Sequence, residues 1–148
     1  MRDYEPLLAQ VERVIHKYNQ RENQKQDYGV DIPLTQTEIH LIAVIGEQPG
    51  IGVKALAEIK GVTAGAASQM IKKMVQKGLV CKQISTESEA KIELTLTEKG
   101  QICFAEHQKF HEEANRKWYQ LLDKLDDNSY GTLTQILTQM EEILARKI

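Results

Sequence analysis

The stretch Gly61–Val80, GVTAGAASQMIKKMVQKGLV, constrains the fold of this chain more than any other. Glycines stand at positions 61 and 78, so a helix between them has both ends marked, with Thr63 as N-cap and Gly78 as the C′ residue. Ala67, Ile71 and Met74 fall at i, i+4 and i+7 with Met70 beside them, which makes a stripe for burial. The opposite face carries Thr63, Ala64, Gly65, Ala66, Ser68, Gln69, Lys72 and Lys73. Its first half is small and hydroxyl- or amide-bearing; its second half is cationic. Small side chains let a helix backbone come close to another surface, Ser and Gln can bond base edges, and Lys can meet phosphate. Between Ile59 and Ser85 there are five lysines (60, 72, 73, 77 and 82) and neither Asp nor Glu, a local basic patch in a chain of net charge −2. The pattern is that of a helix that reads DNA. A merely solvated lysine face is the weaker reading, because the absence of acids coincides with the lysines.

The 148 residues, 41% of them hydrophobic, are enough for one domain with a sizeable core. The slight negative net charge argues against bulk coating of nucleic acid, although specific readers are judged by patches. The start, MRDYEPLLAQ, has no signal-peptide core, and no apolar run approaches a membrane span. Two cysteines, Cys81 and Cys103, make no disulfide framework, which points to a reducing cytoplasm; both are read as small buried hydrophobes. No Ser/His/Asp, Cys/His or Gly-rich phosphate-loop constellation appears, so catalysis is not expected.

In chain order, residues 3–22 carry a helical apolar stripe of Leu7, Leu8, Val11, Val14, Ile15 and Tyr18. Arg21–Pro33 is polar and reads as a linker or fraying helix end. Thr35 with Glu38 is a capping box opening a second helix through Ile39, Leu41, Ile42 and Ile45, which stops around Gly46–Gly50. Ile51–Gly52 suits a single-bridge strand, and Val53–Ile59 a small helix with Leu56 and Ile59 inward. Helix, glycine turn and second amphipathic helix make a helix-turn-helix pattern. Leu79–Ile84 and Lys91–Leu96 then read as strands of a hairpin, a wing, with a polar tip at Ser85–Ala90. A long helix from Thr97 to about Leu125 carries Phe104, Phe110, Ala114, Trp118, Leu121, Leu122 and Leu125. A break at Asp126–Gly131 precedes a last helix with Leu133, Ile136, Leu137, Met140, Ile143 and Leu144, ending at Ile148. Apolar faces at both ends of the chain are explained by packing on each other and on a second copy, or by a monomeric helical core.

The order of elements, with LTQTEIHLIAVI, VKALAEIKGVTAGAASQMIKKMVQKGLV and LTLTEKG, resembles the MarR family of winged-helix transcriptional regulators. The resemblance spans nearly the whole chain and is most specific over residues 34–100. It implies a mostly α fold with a winged helix-turn-helix over residues 34–97 and dimerisation helices at 1–30 and 98–148. It further implies a homodimer with Gly65, Ser68, Gln69 and Lys72 facing the major groove and the wing reaching a minor groove. One departure concerns the wing tip: the family's usual Asp-Arg is replaced by Thr86-Glu87-Ser88-Glu89-Ala90, leaving only Lys82 and Lys91 at the strand ends as cations.

Four histidines add a second theme. His107 and His111 are i, i+4 on the long helix and can converge on one metal at ~2.0–2.1 Å. His40 lies in the apolar run of the second helix, where a buried imidazole needs a partner. The set resembles the zinc-responsive branch of the MarR family, which implies Zn2+ held by His40, His107 and His111, with Glu22 (18 residues before His40) as fourth ligand. Asp27, Asp31 and Glu106 compete for that position. The branch's second zinc site is absent, since the linker has no Cys and Ile39 precedes His40. The plain alternative is a hydrogen-bonded core His40 with a solvated pair. His16 is expected on the surface, and Trp118 in dimer or core packing.

The expectation is therefore a homodimeric DNA-binding repressor on a pseudo-palindromic site, with zinc promoting binding. The alternatives are a regulator answering to a small phenolic or lipophilic ligand, and a winged-helix protein-interaction module that leaves DNA alone.

Overall fold

A computed structural model describes residues 1–87 and 91–146; Ser88, Glu89 and Ala90 of the expected wing tip, and the terminal Ile148, lie outside the described residues. Six helices and two small antiparallel sheets follow in the order α1 Glu5–Glu22, β1 Lys25–Asp27, β2 Pro33–Thr35, α2 Gln36–Glu47, α3 Val53–Lys60, α4 Ala64–Gln76, β3 Val80–Ile84, β4 Ile92–Leu96, α5 Glu98–Leu122 and α6 Asp127–Ala145. This is a mostly α winged-helix architecture. The chain divides into two compact units, residues 1–108 and 109–148.

In the first unit the core forms around α2. Ile39, Leu41, Ile42 and Ile45 are all fully buried, and Leu34, Leu56, Ile71, Met74, Leu79, Leu94 and Cys103 surround them. Helix α2 starts where the capping box places it: the Thr35 hydroxyl accepts from the Glu38 N–H, and the Glu38 carboxylate accepts from the Thr35 N–H at 2.9 Å. Helix α3 buries Leu56 and Ala57, while Ile59, expected inward, is 51% exposed. With eight residues ended by Gly61 at φ +64, its inward stripe is complete one turn earlier.

Helix α4 begins at the Thr63 cap, whose hydroxyl accepts from the Ala66 N–H, and buries Ala67, Ile71 and Met74. It ends in a Schellman motif: Gly78 at φ +73 donates to the Val75 carbonyl and Leu79 to that of Met74. The chain leaves this turn directly into the wing, where β3 and β4 pair from Val80–Leu96 to Ile84–Ile92. Ile51 bridges Leu94 as a third, one-residue strand.

Two sequence expectations need correction. Residues 21–33 are neither linker nor frayed end: α1 continues to Glu22, and β1 and β2 pair as a hairpin with Lys25 opposite Thr35. The Asp27 carboxylate caps the intervening loop, accepting from the N–H groups of Gly29, Val30 and Asp31, and this fold-back buries Tyr28 to 3% exposure. The break before α6 is also shorter than expected. Asp126 caps the Ser129 N–H at 2.7 Å, so Asn128–Gly131 is already helical.

Helix α5 is fastened to the α4–wing corner at its first turn. The Thr97 hydroxyl donates to the Gly78 carbonyl at 2.6 Å and accepts from the Gly100 N–H. Gly100 is buried there, and a Cβ at that position would stand 2.1 Å from the Leu79 carbonyl oxygen. Gly100→Ala is therefore expected to destabilise the chain by roughly 2–4 kcal/mol, since backbone must move. Urea unfolding checks it; a change below about 0.5 kcal/mol contradicts the packing described.

Candidate nucleic-acid interface and metal centre

Thr63, Ala64, Gly65, Ala66, Ser68, Gln69, Lys72 and Lys73 are all exposed on α4, opposite its buried stripe. The amphipathic pattern thus leaves one continuous face of a solvent-facing helix open, with a row of small side chains at its N-terminal half. A Cβ on Gly65 would meet nothing within 4 Å, so the surface there is low because the residue is small, not because a neighbour presses on it. Lys82 and Lys91 are exposed on and beside the wing strands.

The five lysines of the basic stretch are not equivalent. Lys73 and Lys77, one turn apart on α4, converge on the Glu38 carboxylate: Lys73 lies 2.8 Å from Oε1, and Lys77 3.0 Å from both oxygens. The counter-charge comes from α2, more than thirty residues away in sequence, which is why an acid-free segment looked uncompensated. Glu38 is 7% exposed. Burial alone would raise its pKa, but the hydrogen bonds from Lys73, the Thr35 backbone and Lys77 outweigh it and hold the carboxyl below its ordinary 4.5. Lys60 is half-buried, and burial lowers its pKa against the opposing pull of Glu22. Lys72 and Lys82 remain exposed, in no ion pair found among the described residues.

On another side of α2, His40 meets α5. Gly46 brings the two helices close, since a Cβ there would stand 2.7 Å from the Phe104 ring. Six residues back on α2 and three forward on α5 come His40 and His107, with ring centroids 5.3 Å apart. His111 follows one turn later on α5, and the three imidazoles each offer a nitrogen within 4.8 Å of the others. Tetrahedral zinc with bonds of ~2.0–2.1 Å needs nitrogens roughly 3.3–3.4 Å apart. His107 is buried, and the ring of Tyr28 packs edge-on against it at 5.9 Å. Asn115, one turn further on α5, hydrogen-bonds Nδ1 of His111. The buried Tyr28 comes from the hairpin that the sequence reading took for a linker, and only the short Asp-Tyr-Gly turn signalled it.

Glu22 arrives at the same place. Its Oε1 lies 3.8 Å from Nδ1 of His40, and its Oε2 accepts from the Thr37 hydroxyl at 3.1 Å. Among the competing carboxylates, Asp27 is engaged by its three loop N–H groups, and Asp31 is exposed on the same loop at φ +58. A donor set of three imidazoles and one carboxylate suits Zn2+ chemically. His16 is exposed, Cys103 is buried with its thiol pKa raised by that burial, and Cys81 is half-buried.

The MarR family model matches residues 34–89, from β2 to the wing. The transcriptional regulator PchR of Bacillus subtilis is 24% identical over 114 residues, covering 77% of this chain and 68% of that protein. The transcriptional regulator ZitR of Lactococcus lactis is 23% identical over 112 residues, covering 76% and 77%. Among solved structures, the adhesin competence repressor AdcR of Streptococcus pyogenes superimposes with a TM-score of 0.74 at 20% identity, over 97% of this chain and 98% of that one. A structure of ZitR described as zinc-responsive matches with a TM-score of 0.67 at 20% identity, covering 96% and 99%. ZitR bound to DNA matches with a TM-score of 0.66 at 23% identity, covering 93% and 97%.

The Glu38 pairing carries a pH signature. Its lowered pKa means that its stabilisation is fully present above the unfolded carboxyl value and is lost as pH falls through the lower folded value. Glu38→Gln keeps an acceptor for the Thr35 N–H but loses the charge. It should cost roughly 1–3 kcal/mol at neutral pH, and the gap from wild type should narrow at acid pH, as the carboxyl titrates through its lowered folded pKa. Equal gaps at both pH values in urea unfolding would show that the charge is not what holds α2 to α4.

Proposed function

We propose that this chain, a member of the MarR family of winged-helix DNA-binding transcriptional regulators, is a homodimeric repressor whose operator binding is promoted by zinc. It is a DNA-binding regulator, not an enzyme. The observation that carries the metal reading is the convergence of His40, His107 and His111, from two helices, to within 4.8 Å. An i, i+4 pair on one helix would be unremarkable alone; a third imidazole converging on it from a different helix is what supports a shared ligand. These three would hold the ion with Glu22 as fourth ligand. A bound divalent ion would tether the three imidazoles, and with them α2 to α5. The relative ZitR is described as zinc-responsive, in keeping with this reading.

The DNA side rests on the open α4 face. Thr63, Ala64, Gly65, Ala66, Ser68 and Gln69 form the base-reading half, and Lys72, with Lys82 and Lys91 of the wing, the phosphate-contacting remainder. Lys73 sits at the edge of this set with its charge shared by Glu38. No helix among the described residues is long and apolar enough to cross a membrane, and the cytoplasm, where DNA and reduced cysteines are found, is the proposed location.

Homodimerisation follows from what the two units leave uncovered. The 18-residue α1 buries none of its residues, with Leu7, Leu8, Val14 and Tyr18 all more than half exposed. Helix α6 buries none either, and Leu137, Ile143 and Leu144 are at least half exposed. Helices of this length gain their stability from packing an apolar face, so a second copy is the proposed cover. The expected mass by sedimentation equilibrium is twice the 16.9 kDa of one chain; a monomer at micromolar concentration contradicts this part of the reading.

The regulatory claim is tested with a duplex selected from a random pool. Fluorescence anisotropy should show zinc tightening wild-type binding by about 5–150-fold, the usual range of allosteric coupling. His107→Ala should bind as zinc-free wild type does and ignore the metal. Zinc-independent affinity in wild type, with His107→Ala indistinguishable from it, would end the sensor reading and favour an organic effector instead.

A further inference from the structure

We propose that Glu38 is an internal counter-ion of the recognition helix, which keeps Lys73 and Lys77 off the DNA backbone and thereby shifts binding from phosphate attraction towards base reading. The proposal rests on the DNA-binding function above and adds a residue that sets the electrostatic share of binding without touching DNA.

The geometry is that of a fixed clamp. The Glu38 carboxylate is tied at Oε2 to the Thr35 N–H at 2.9 Å, and that bond is part of the α2 cap, so the group has little freedom to swing. Lys77 spans both of its oxygens at 3.0 Å and its side chain is 23% exposed; Lys73 approaches Oε1 at 2.8 Å with 60% of its side chain exposed. A glutamate on α4 itself would be repelled by phosphate wherever the helix docked. Placed on α2, below the helix and only 7% exposed, the carboxylate neutralises lysines without presenting an acid to the duplex.

The consequence can be counted. Lys72, Lys73 and Lys77 with Glu38 carry a net charge of +2, where the sequence of α4 and its C-cap alone suggests +3. Each phosphate neutralised contributes about 0.9 to the slope of log Kobs against log salt concentration, and this sequence-blind attraction supplies nearly all non-specific affinity. Withholding lysines lowers binding to every sequence alike, so a larger share of the operator's binding free energy comes from base contacts and a smaller share from phosphate. The acidic wing residue Glu87 acts in the same direction, and a chain with net charge −2 fits a reader that relies little on backbone attraction.

The experiment compares full-length wild type, Glu38→Gln, Lys72→Gln and Lys73→Gln on a random-sequence duplex, with anisotropy read across a salt series. Glu38→Gln should steepen the slope by about 0.9–1.8 and tighten low-salt binding several-fold. Lys72→Gln should flatten the slope by about 0.9, and Lys73→Gln by much less. A merely structural role for Glu38 would weaken binding without changing the slope, and that result in folded protein overturns the proposal. If Glu38→Gln does not fold, the lysine pair decides: equal flattening by Lys72→Gln and Lys73→Gln overturns the counter-ion role, and unequal flattening supports it. A wild-type chain that binds no duplex at any salt removes the DNA-binding function itself, an outcome distinct from unchanged slopes.

Discussion

Helix α2 runs through the core of the first unit, and three of its polar side chains, Thr37, Glu38 and His40, meet other elements. Ile39, Leu41, Ile42 and Ile45 fill the centre of the core. The polar positions between them face other elements, while Glu47 at the end of the helix is exposed. Thr37 meets Glu22 at the end of α1, Glu38 meets Lys73 and Lys77 of α4, and His40 meets His107 of α5. An unpartnered charge or imidazole at such positions would cost several kcal/mol. Polar contacts of specific geometry thus link α1, α4 and α5 to α2.

Those contacts tie the proposed sensing residues to the proposed reading residues. His40 is two residues from Glu38 on the same rigid helix, and Glu38 holds α4 by two lysines. Helix α2 itself therefore joins the histidine that faces α5 to the glutamate that seats α4. The wing shares the frame, because Gly78 and Leu79 at the end of α4 bond to Thr97 at the start of α5.

How much of this was legible in the sequence depends on whether the determinant is local. The α2 capping box, the Thr63 cap, the Gly61 and Gly78 turns and the period-two wing are all written within a few residues, and the structure has each in place. The three histidines were legible because i, i+4 spacing fixes one pair and His40 breaks an apolar run. What could not be read were pairings between distant segments: the salt link from Glu38 to α4, and the β1–β2 hairpin, whose three-residue strands carry no periodicity. Ile59 misled for the opposite reason, since an apolar residue at the last turn of a short helix need not point inward. Family resemblance supplied Glu22, which no spacing rule would single out among nearby carboxylates.

The proposed nitrogen-rich metal site joins α2 to α5. Zinc K-edge X-ray absorption on the full chain, loaded and desalted, measures that directly. The account predicts one zinc per chain, with nitrogen and oxygen neighbours at ~2.0–2.2 Å and the outer-shell scattering of three imidazoles. A sulfur neighbour near ~2.3 Å would assign the metal to a cysteine instead, and failure to retain stoichiometric zinc would contradict the site outright.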